Sequence, residues 1–260
     1  MKPLFILLPV LFLFQGAGHL TVPVKSRVAS KVYRWEALKM KKSASGHESG
    51  VLKGSTTHLE NLEVTTHELL KGKSQPSEMS SDKERLLIIK EGKLEVTIEG
   101  KAEILGPGSV SLVLPGDTYL LKNVGEGPAS FYKMVYRSKN ALNPERGVAA
   151  GGSFSVDWEK VEFREHKKGG RRNFFDRPTA MCDDFEMHVT NLNPNTASHD
   201  PHTHVVEEII LLVRGDVEMH IDGKTGKATA GDLVFLDSMV PHATTNIGKE
   251  QCIYFAFQWK

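Results

Sequence analysis

The chain contains two copies of one strand–turn–strand pattern. Residues 85–100 comprise an apolar run, a glycine turn, an alternating run and a second glycine, and residues 208–223 repeat this order. A further apolar run that begins with glycine follows each copy, at 108–113 and at 231–236. Short apolar runs between glycine turns, without long helical periodicity, are typical of small β-barrels and sandwiches. The repeat therefore predicts an all-β chain made of two copies of one barrel.

The length of the chain suits this division. Its 260 residues are enough for two domains of about a hundred residues each. We expect an N-terminal barrel over residues 30–137, a linker over 138–160 and a C-terminal barrel over 161–260. The linker is placed by its turn-forming residues, among them Asn143-Pro144 and Gly151-Gly152.

Residues 1–18 predict a secretory signal peptide. Lys2 supplies a positive charge, residues 3–14 are apolar but too few to span a bilayer, and residues 16–18 are small. An uncleaved membrane anchor is the alternative. We expect an exported protein, periplasmic or extracellular, that has no membrane contact after cleavage.

The overall charge argues against a nucleic-acid partner. Lys and Arg total 33 against 32 Asp and Glu, which gives a net charge of +1 and little basis for binding a phosphate backbone. The one basic run, residues 166–172, surrounds two glycines and predicts a solvated turn. Cys182 and Cys252 are expected to be buried thiols, although their spacing leaves a disulfide open.

The chemistry is concentrated in the second copy of the repeat. His202, His204 and Glu208 are spaced by two and four residues, so in a continuous strand they would share one face and Glu207 would face the other way. His242, after a turn, adds a third imidazole. Three imidazoles and one carboxylate suit one divalent metal, Mn, Fe, Zn or Ni, and leave positions open for substrate. The alternative is a polar interior satisfied by hydrogen bonds.

These residues resemble the two sequence motifs of the cupin family. The matching residues are His202, His204, Glu208 and Gly215 in the first motif and Gly231, His242 and Asn246 in the second. Asp237 and Met239 depart from the second motif, but in a turn and not at a ligand. The resemblance implies two tandem cupin (jelly-roll) β-barrels, with a divalent metal held by His202, His204, Glu208 and His242.

The first copy lacks these ligands. Aligned on the second copy, it has Met79, Ser81, Arg85 and Tyr119 at the four ligand positions. None is a suitable ligand there, and Arg85 would repel a cation. We therefore expect a degenerate N-terminal barrel without metal, whose role is to pack against its partner or to close a dimer.

The two-barrel arrangement resembles the (S)-ureidoglycine aminohydrolase-like bicupins. That family's metal set is Glu, His, His and Gln, and only His204 is unchanged here. The resemblance implies that Tyr254 is a catalytic and substrate-binding residue. It also implies substrate contacts at Met219 and Gln258, where the family has a tyrosine and a lysine. The architecture matches better than the substrate residues do.

Several functions remain open. The expected one is an exported, metal-dependent enzyme that acts on a small polar metabolite, aminohydrolase-like by architecture. The alternatives are an Fe(II)-dependent dioxygenase or an isomerase, a non-catalytic module that binds a small molecule or sugar, and a structural or storage role. The expected partner is a small-molecule ligand, and homo-oligomer formation is left open.

Other polar residues near the ligands are weaker candidates. His188 and His199 are placed to orient a ligand, whereas the alternation of the strand turns His220 away from its neighbours Met219 and Ile221. Three arginines precede the second barrel and are candidates for contact with a substrate anion. They are Arg171, Arg172 and Arg177.

Overall fold

The computed structural model describes residues 26–76 and 79–260. The predicted signal peptide lies outside the described residues. None of the helices in the described part is long and apolar enough to cross a membrane.

The described chain is almost entirely β-structure. The strands of the first half are β1 (Lys31–Tyr33), β2 (Lys41–Lys42), β3 (Gly46–Gly54), β4 (Leu59–Leu69), β5 (Ser74–Pro76), β6 (Glu84–Glu91), β7 (Leu94–Ile98), β8 (Lys101–Leu105), β9 (Val110–Val113), β10 (Tyr119–Asn123) and β11 (Ala129–Ser138). Those of the second half are β12 (Phe154–Val156), β13 (Arg164–His166), β14 (Gly169–Arg177), β15 (Phe185–Leu192), β16 (Glu207–Arg214), β17 (Asp216–Ile221), β18 (Lys224–Thr229), β19 (Leu233–Leu236), β20 (His242–Asn246) and β21 (Cys252–Trp259). One α-helix, α1 (Pro144–Ala149), and two 3-10 turns, Trp35–Ala37 and Trp158–Lys160, complete the described elements.

The strands form two barrels, each built from a large sheet and a small one. In the first barrel the sheet orders are β12-β9-β6-β11-β4-β3-β2 and β5-β10-β7-β8. In the second they are β1-β19-β16-β21-β15-β14-β13 and β18-β17-β20. The prediction of an all-β chain with two jelly-roll barrels is confirmed.

One edge strand of each large sheet comes from the part of the chain that was assigned by sequence to the other barrel or to the linker. Strand β1, near the start of the chain, pairs with β19 of the second barrel, with Lys31 opposite Phe235. Strand β12, inside the predicted linker, pairs with β9 of the first barrel, with Phe154 opposite Leu112. Edge strands expose unpaired backbone groups, and the exchanged strands cover that edge of each large sheet.

Equivalent glycines close the turn after β6 and after β16. Gly92 and Gly215 have φ values of +82° and +86°, a conformation that side chains rarely adopt. A Cβ at Gly92 would lie 2.7 Å from the Ala129 Cα, and one at Gly215 would lie 2.9 Å from the Cys252 Cα. The same backbone approach therefore recurs in both copies.

A shared apolar core joins the barrels. One buried cluster contains side chains from both, such as Tyr136 and Phe185, whose ring centroids are 5.9 Å apart. Each barrel also has an apolar cluster of its own. Cys182 and Cys252 are both buried free thiols, as expected.

Two buried glutamates reinforce this interface from opposite sides. Glu207, at the start of β16, accepts hydrogen bonds from the Thr56 hydroxyl at 2.7 Å, the His58 amide at 2.8 Å and the Trp259 indole N–H at 2.8 Å. Thr56 and His58 belong to the first barrel. Glu207 therefore faces away from the histidines, as predicted, and binds the barrels together.

Glu84, the equivalent residue of the first barrel, accepts hydrogen bonds from the second barrel. Glu84, at the start of β6, accepts from the Tyr136 hydroxyl at 2.5 Å and from the Thr179 hydroxyl at 2.8 Å. It also accepts from the Met181 amide at 3.0 Å. Thr179 and Met181 lie just before β15 of the second barrel. We call the contacts of Glu84 and Glu207 the reciprocal clamps.

Candidate metal centre

The histidine pair is not on a continuous strand. Strand β16 begins at Glu207, so His202 and His204 lie in the loop before it, and the prediction of one continuous strand is wrong. A two-way backbone bridge joins His202 to His242, with N···O distances of 3.2 and 3.0 Å. The Met239 amide also donates to the His204 carbonyl at 2.8 Å. Contact with β20, rather than strand alternation, therefore brings these side chains together.

The four predicted ligands converge in space. One ring nitrogen from each of His202, His204 and His242 lies within 4.8 Å of the others. The Glu208 Oε2 is 3.1 Å from the His242 Nε2 and 3.4 Å from the His204 Nε2. Among the residues that the structure describes, the three histidines form the one cluster of histidine, cysteine or acidic side chains that is compact enough to hold a metal ion.

Backbone carbonyls orient two of the imidazoles. The Nδ1 of His204 is 2.8 Å from the Val206 carbonyl, and that of His242 is 2.8 Å from the Val240 carbonyl. A carbonyl only accepts, so the proton stays on Nδ1 and the Nε2 lone pair faces the cluster. The buried His242 Nε2, with its lone pair, has no donor to accept from, since the Glu208 carboxylate 3.1 Å away is itself an acceptor. A buried polar atom requires a partner, and a divalent cation satisfies this one together with its neighbours.

The charges in the cluster also fit a cation. Burial alone would raise the pKa of Glu208, but His204 and His242 lower it to about 2, so the carboxylate is ionised. Burial, followed by the charges of nearby histidines, lowers the pKa of His202, which favours its neutral form. The hydrogen bond to Glu208 raises the pKa of His204 despite the opposing effect of burial, so a bound cation would take the place of the proton that this carboxylate favours on the His204 Nε2. One buried anion among imidazoles is a donor set for a divalent metal.

The cluster lies in a cavity of about 290 Å³ inside the second barrel. Tyr254 and Gln258, from β21, line it as well. Burial raises the pKa of Tyr254 far above its ordinary value, so the hydroxyl keeps its proton and is available as a donor. Met219 does not line this cavity: it is fully buried in the second barrel's own apolar cluster, with its sulfur 3.3 Å from the Thr244 hydroxyl. A substrate role for Met219, Tyr254 or Gln258 stays a prediction.

A polar network missed by the sequence reasoning supports one wall of the cavity. The Glu186 Oε1 is 2.7 Å from the His188 Nδ1, and Glu186 is also ion-paired with Arg171. The Gln258 amide donates to the Glu186 Oε2 at 2.9 Å. His188 lines the cavity, so Glu186 orients a histidine toward the metal cluster from behind. The only sequence signal was the placement of residues 186 and 188 on one strand face.

The basic run at residues 166–172 reaches this cavity. Residues 167 and 168 form a turn, as predicted, but the side chains of His166, Lys168 and Arg171 line the cavity. The reason is that β14 begins at Gly169 and lies beside β15, which forms the cavity wall. Arg172 instead lies over the rings of Trp158 and Phe163.

The remaining candidates fall at different distances from the cluster. His199 lines the cavity, and its ring centroid is 4.0 Å from that of His202. Arg177 lies over the Phe154 ring at 3.7 Å, away from the cavity lining. His220 lies on β17 and does not line the cavity.

The first barrel keeps the same framework without the ligands. Tyr119 begins β10 and pairs with Ile98, as His242 begins β20 and pairs with Ile221. Arg85 follows Glu84 of one clamp, as Glu208 follows Glu207 of the other. The alignment of Arg85 and Tyr119 with the two ligands is thus confirmed, whereas the absence of a metal from this barrel stays a prediction.

Comparison with known proteins supports the same fold. Residues 188–257 match the family model described as Cupin domain. No curated protein matches the chain.

Solved structures similar to the chain cover nearly all of it. A protein of Pseudomonas aeruginosa described as glyoxylate-induced has a TM-score of 0.70 at 18% identity, over 93% of this chain and 92% of its own. The protein YlbA of E. coli has a TM-score of 0.66 at 15% identity, over 88% and 90%. Bacillus subtilis oxalate decarboxylase, described with Mn(II) centres, has a TM-score of 0.66 at 15% identity, over 91% and 79%. Residues 188–257 are therefore similar to a cupin domain, and the whole chain has the fold of two-barrel cupins.

Proposed function

We propose that this protein is a metal-dependent enzyme whose second barrel acts on a small polar metabolite that carries a carboxylate. One observation carries the proposal: three imidazoles, each with a ring nitrogen within 4.8 Å of the others, open into a cavity of about 290 Å³. Cationic and proton-donating side chains line the same cavity. A purely structural metal site would be closed to solvent, and it would need neither cationic nor proton-donating side chains around it.

His202, His204, Glu208 and His242 would hold one divalent cation. When bound, such a cation supplies a Lewis acid that polarises a carbonyl or stabilises an anion. Mn, Fe, Zn and Ni all suit imidazole and carboxylate donors. Mn(II) is the first to test, because the oxalate decarboxylase with a similar fold is described with Mn(II) centres.

The side chains around the cluster have separate tasks. Lys168 and Arg171 at the cavity wall attract and bind the carboxylate of the substrate. Tyr254, kept protonated by its burial, donates a proton to the reacting group. His188, held through its Nδ1 by Glu186, accepts or returns a proton through its other nitrogen.

Two classes of reaction are candidates for this site, and different features favour each. The two-barrel architecture favours an aminohydrolase-like reaction, and the set of three histidines and one glutamate favours Fe(II)-dependent oxygen chemistry. Oxygen consumption, ammonia release and carbon dioxide release, measured on a panel of small carboxylates with each metal, separate them. Tight ligand binding without turnover across the panel would instead favour a binding module.

Metal analysis of the purified protein tests the site itself. We expect about one equivalent of divalent metal in the wild type, and its loss in His242→Ala. The matched control is His220→Ala, which removes a histidine that does not line the cavity and retains the metal. Equal metal content in His242→Ala and the wild type would refute the proposal.

Export through residues 1–18 is part of the proposal. It is supported by the composition of that segment alone. Determination of the N-terminal residue of the protein recovered from the periplasm or medium tests it. Recovery of only full-length protein from the cell interior would refute it.

A further inference from the structure

We propose that the first half of the chain raises the metal affinity of the second barrel, because it holds the two loops that carry the histidine ligands. The contacts come from Arg27, beside the end of β3, and from Thr57 and His58 of the first barrel. Asp237 is the positioning residue that receives most of them. The inference rests on the proposed metal site, and its test separates the failure of one from the failure of the other.

The histidine ligands lie on loops, whereas the acidic ligand lies in a sheet. His202 and His204 belong to the loop before β16, residues 202–206, which we call the ligand loop. His242 follows residues 237–241, which we call the ligand turn. Glu208 is part of β16 and is paired on both sides, with β19 and with β21. Because metal–nitrogen bonds tolerate little change in length, contacts that fix the loop and the turn influence metal affinity.

Asp237 ties the ligand turn to the first half of the chain. Its Oδ2 accepts from the Arg27 Nε at 3.0 Å and from the Nη2 at 2.6 Å. Its Oδ1 accepts from the Thr57 amide at 3.3 Å and from the Ser238 amide, inside the turn, at 2.9 Å. Its own amide donates to the Ser30 hydroxyl at 2.9 Å. One side chain therefore links the first barrel to the backbone of the turn.

Asp237 is a buried carboxylate, and Arg27 is its counter-ion. The Asp237 residue is 8% exposed, whereas the Arg27 side chain is 59% exposed. Burial opposes ionisation of Asp237, but hydrogen bonds from Thr57 and Arg27 contribute to a net lowering of its pKa. Hydrogen bonds between ionised groups are shorter and stronger than neutral ones, so this contact fixes the start of the turn.

His58, the residue after Thr57, holds the ligand loop. Its Nε2 donates to the Val205 carbonyl at 2.9 Å. The carbonyl of the next residue, Val206, orients the His204 imidazole through the Nδ1 at 2.8 Å. Two adjacent residues of the first barrel therefore hold the ligand turn and the ligand loop.

The conformation of the ligand turn requires this support. Met239 has a φ value of +62°, a left-handed conformation that side chains rarely adopt, and its amide donates to the His204 carbonyl at 2.8 Å. Such strain persists only where the surroundings fix the backbone, and Asp237 does so two residues away. Asp237 and Met239 are also the two residues that depart from the second cupin motif. The departure from the motif therefore coincides with the contact across the barrels.

Titration of the full, metal-free chain with Co²⁺, followed by visible absorption, tests the proposal. We expect Asp237→Ala to weaken Co²⁺ binding about tenfold and to change the absorption bands, which report the coordination geometry. Arg27→Met should weaken binding severalfold. The matched control is Arg137→Met, which removes an arginine whose partners, Glu60 and Asp82, both lie in the first barrel. This control should leave the affinity and the spectrum unchanged.

Urea unfolding of the same metal-free variants separates positioning from a purely structural role. A purely structural contact would lower the stability of Asp237→Ala but leave its Co²⁺ affinity and spectrum at the wild-type values, and that result would overturn the proposal. Unchanged affinity in Arg27→Met would count equally against it, and this variant serves alone if Asp237→Ala fails to fold. Loss of Co²⁺ binding in His242→Ala would show in either case that the metal site itself stands. A wild type that binds no Co²⁺ would refute the metal site and this proposal together.

Discussion

The adjacent residues Glu207 and Glu208 should have separable roles, one in stability and one in metal binding. Glu207 faces the first barrel and accepts three hydrogen bonds, whereas Glu208 faces the histidines. We expect Glu207→Ala to destabilise the protein and keep its metal. We expect Glu208→Ala to weaken metal binding more than about 100-fold.

The size of the stability effect follows from the contacts that are lost. Glu207→Ala leaves the Thr56 hydroxyl and the Trp259 indole N–H buried without an acceptor, at about 1–3 kcal/mol each. The bond from the His58 amide is only partly buried, so water offsets its loss. Burial raises the pKa of Glu207, which means that its removal also relieves some desolvation cost. The net loss should be about 2–4 kcal/mol, or roughly 10 °C in Tm for a chain of this size.

Urea unfolding and metal analysis of both variants provide the measurement. Unfolding is followed after treatment with chelator, so that metal binding does not contribute to the free energy of unfolding. Metal content is measured on the untreated proteins at equal concentration. The reasoning is refuted if Glu207→Ala unfolds at the wild-type urea concentration, or if Glu208→Ala keeps a full equivalent of metal.

Three further predictions concern proton uptake, chemistry and metal removal. Burial raises the pKa of Glu84 above 4.5, so its contribution to stability is present below that pH and is lost as pH rises through the folded-state pKa. Urea unfolding across this range should therefore show the stability of the wild type falling relative to Glu84→Gln as pH rises, and a constant difference would contradict this. Tyr254→Phe should keep the metal but lower kcat by about 10²- to 10⁴-fold on any substrate found. Steady-state kinetics at full metal occupancy measure this effect. An unchanged kcat would remove Tyr254 from the mechanism. Chelation should lower the Tm of the wild type by an amount set by metal concentration over Kd, and should not change that of His242→Ala.

The sequence was sufficient for the fold and for the identity of the clustered residues. The repeated glycines and alternating strands determine the barrel, since Gly92 and Gly215 close the same turn in both copies. The spacing of His202, His204 and Glu208 pointed to one site, although for an incorrect reason. The histidines converge through backbone pairing with β20, and such pairing between distant segments leaves no periodic signal in the loop itself.

The features that the sequence did not reveal depend on contacts between distant residues. The reciprocal clamps join residues about 150 and 97 positions apart, and nothing local marks Glu84 or Glu207 as buried. The cationic lining of the cavity in the first barrel, to which Lys39 and Lys133 contribute, likewise forms only when distant segments fold together. The replacement of the metal ligands, by Arg85 and Tyr119 among others, was visible from the first copy of the repeat, but the cavity around these residues was not.

Because β1 and β12 are exchanged between the barrels, neither barrel has a complete large sheet when it is expressed alone. The pair of barrels is therefore the smallest unit that can be expressed intact. A fragment cut at residue 161 would lack β1 and leave β19 with an open edge, and a fragment ending at residue 137 would lack β12 and leave β9 open. Open edges of this kind promote association between chains. Because each copy supplies an edge strand to the other, the first barrel completes the large sheet of the second whatever side chains occupy its own interior.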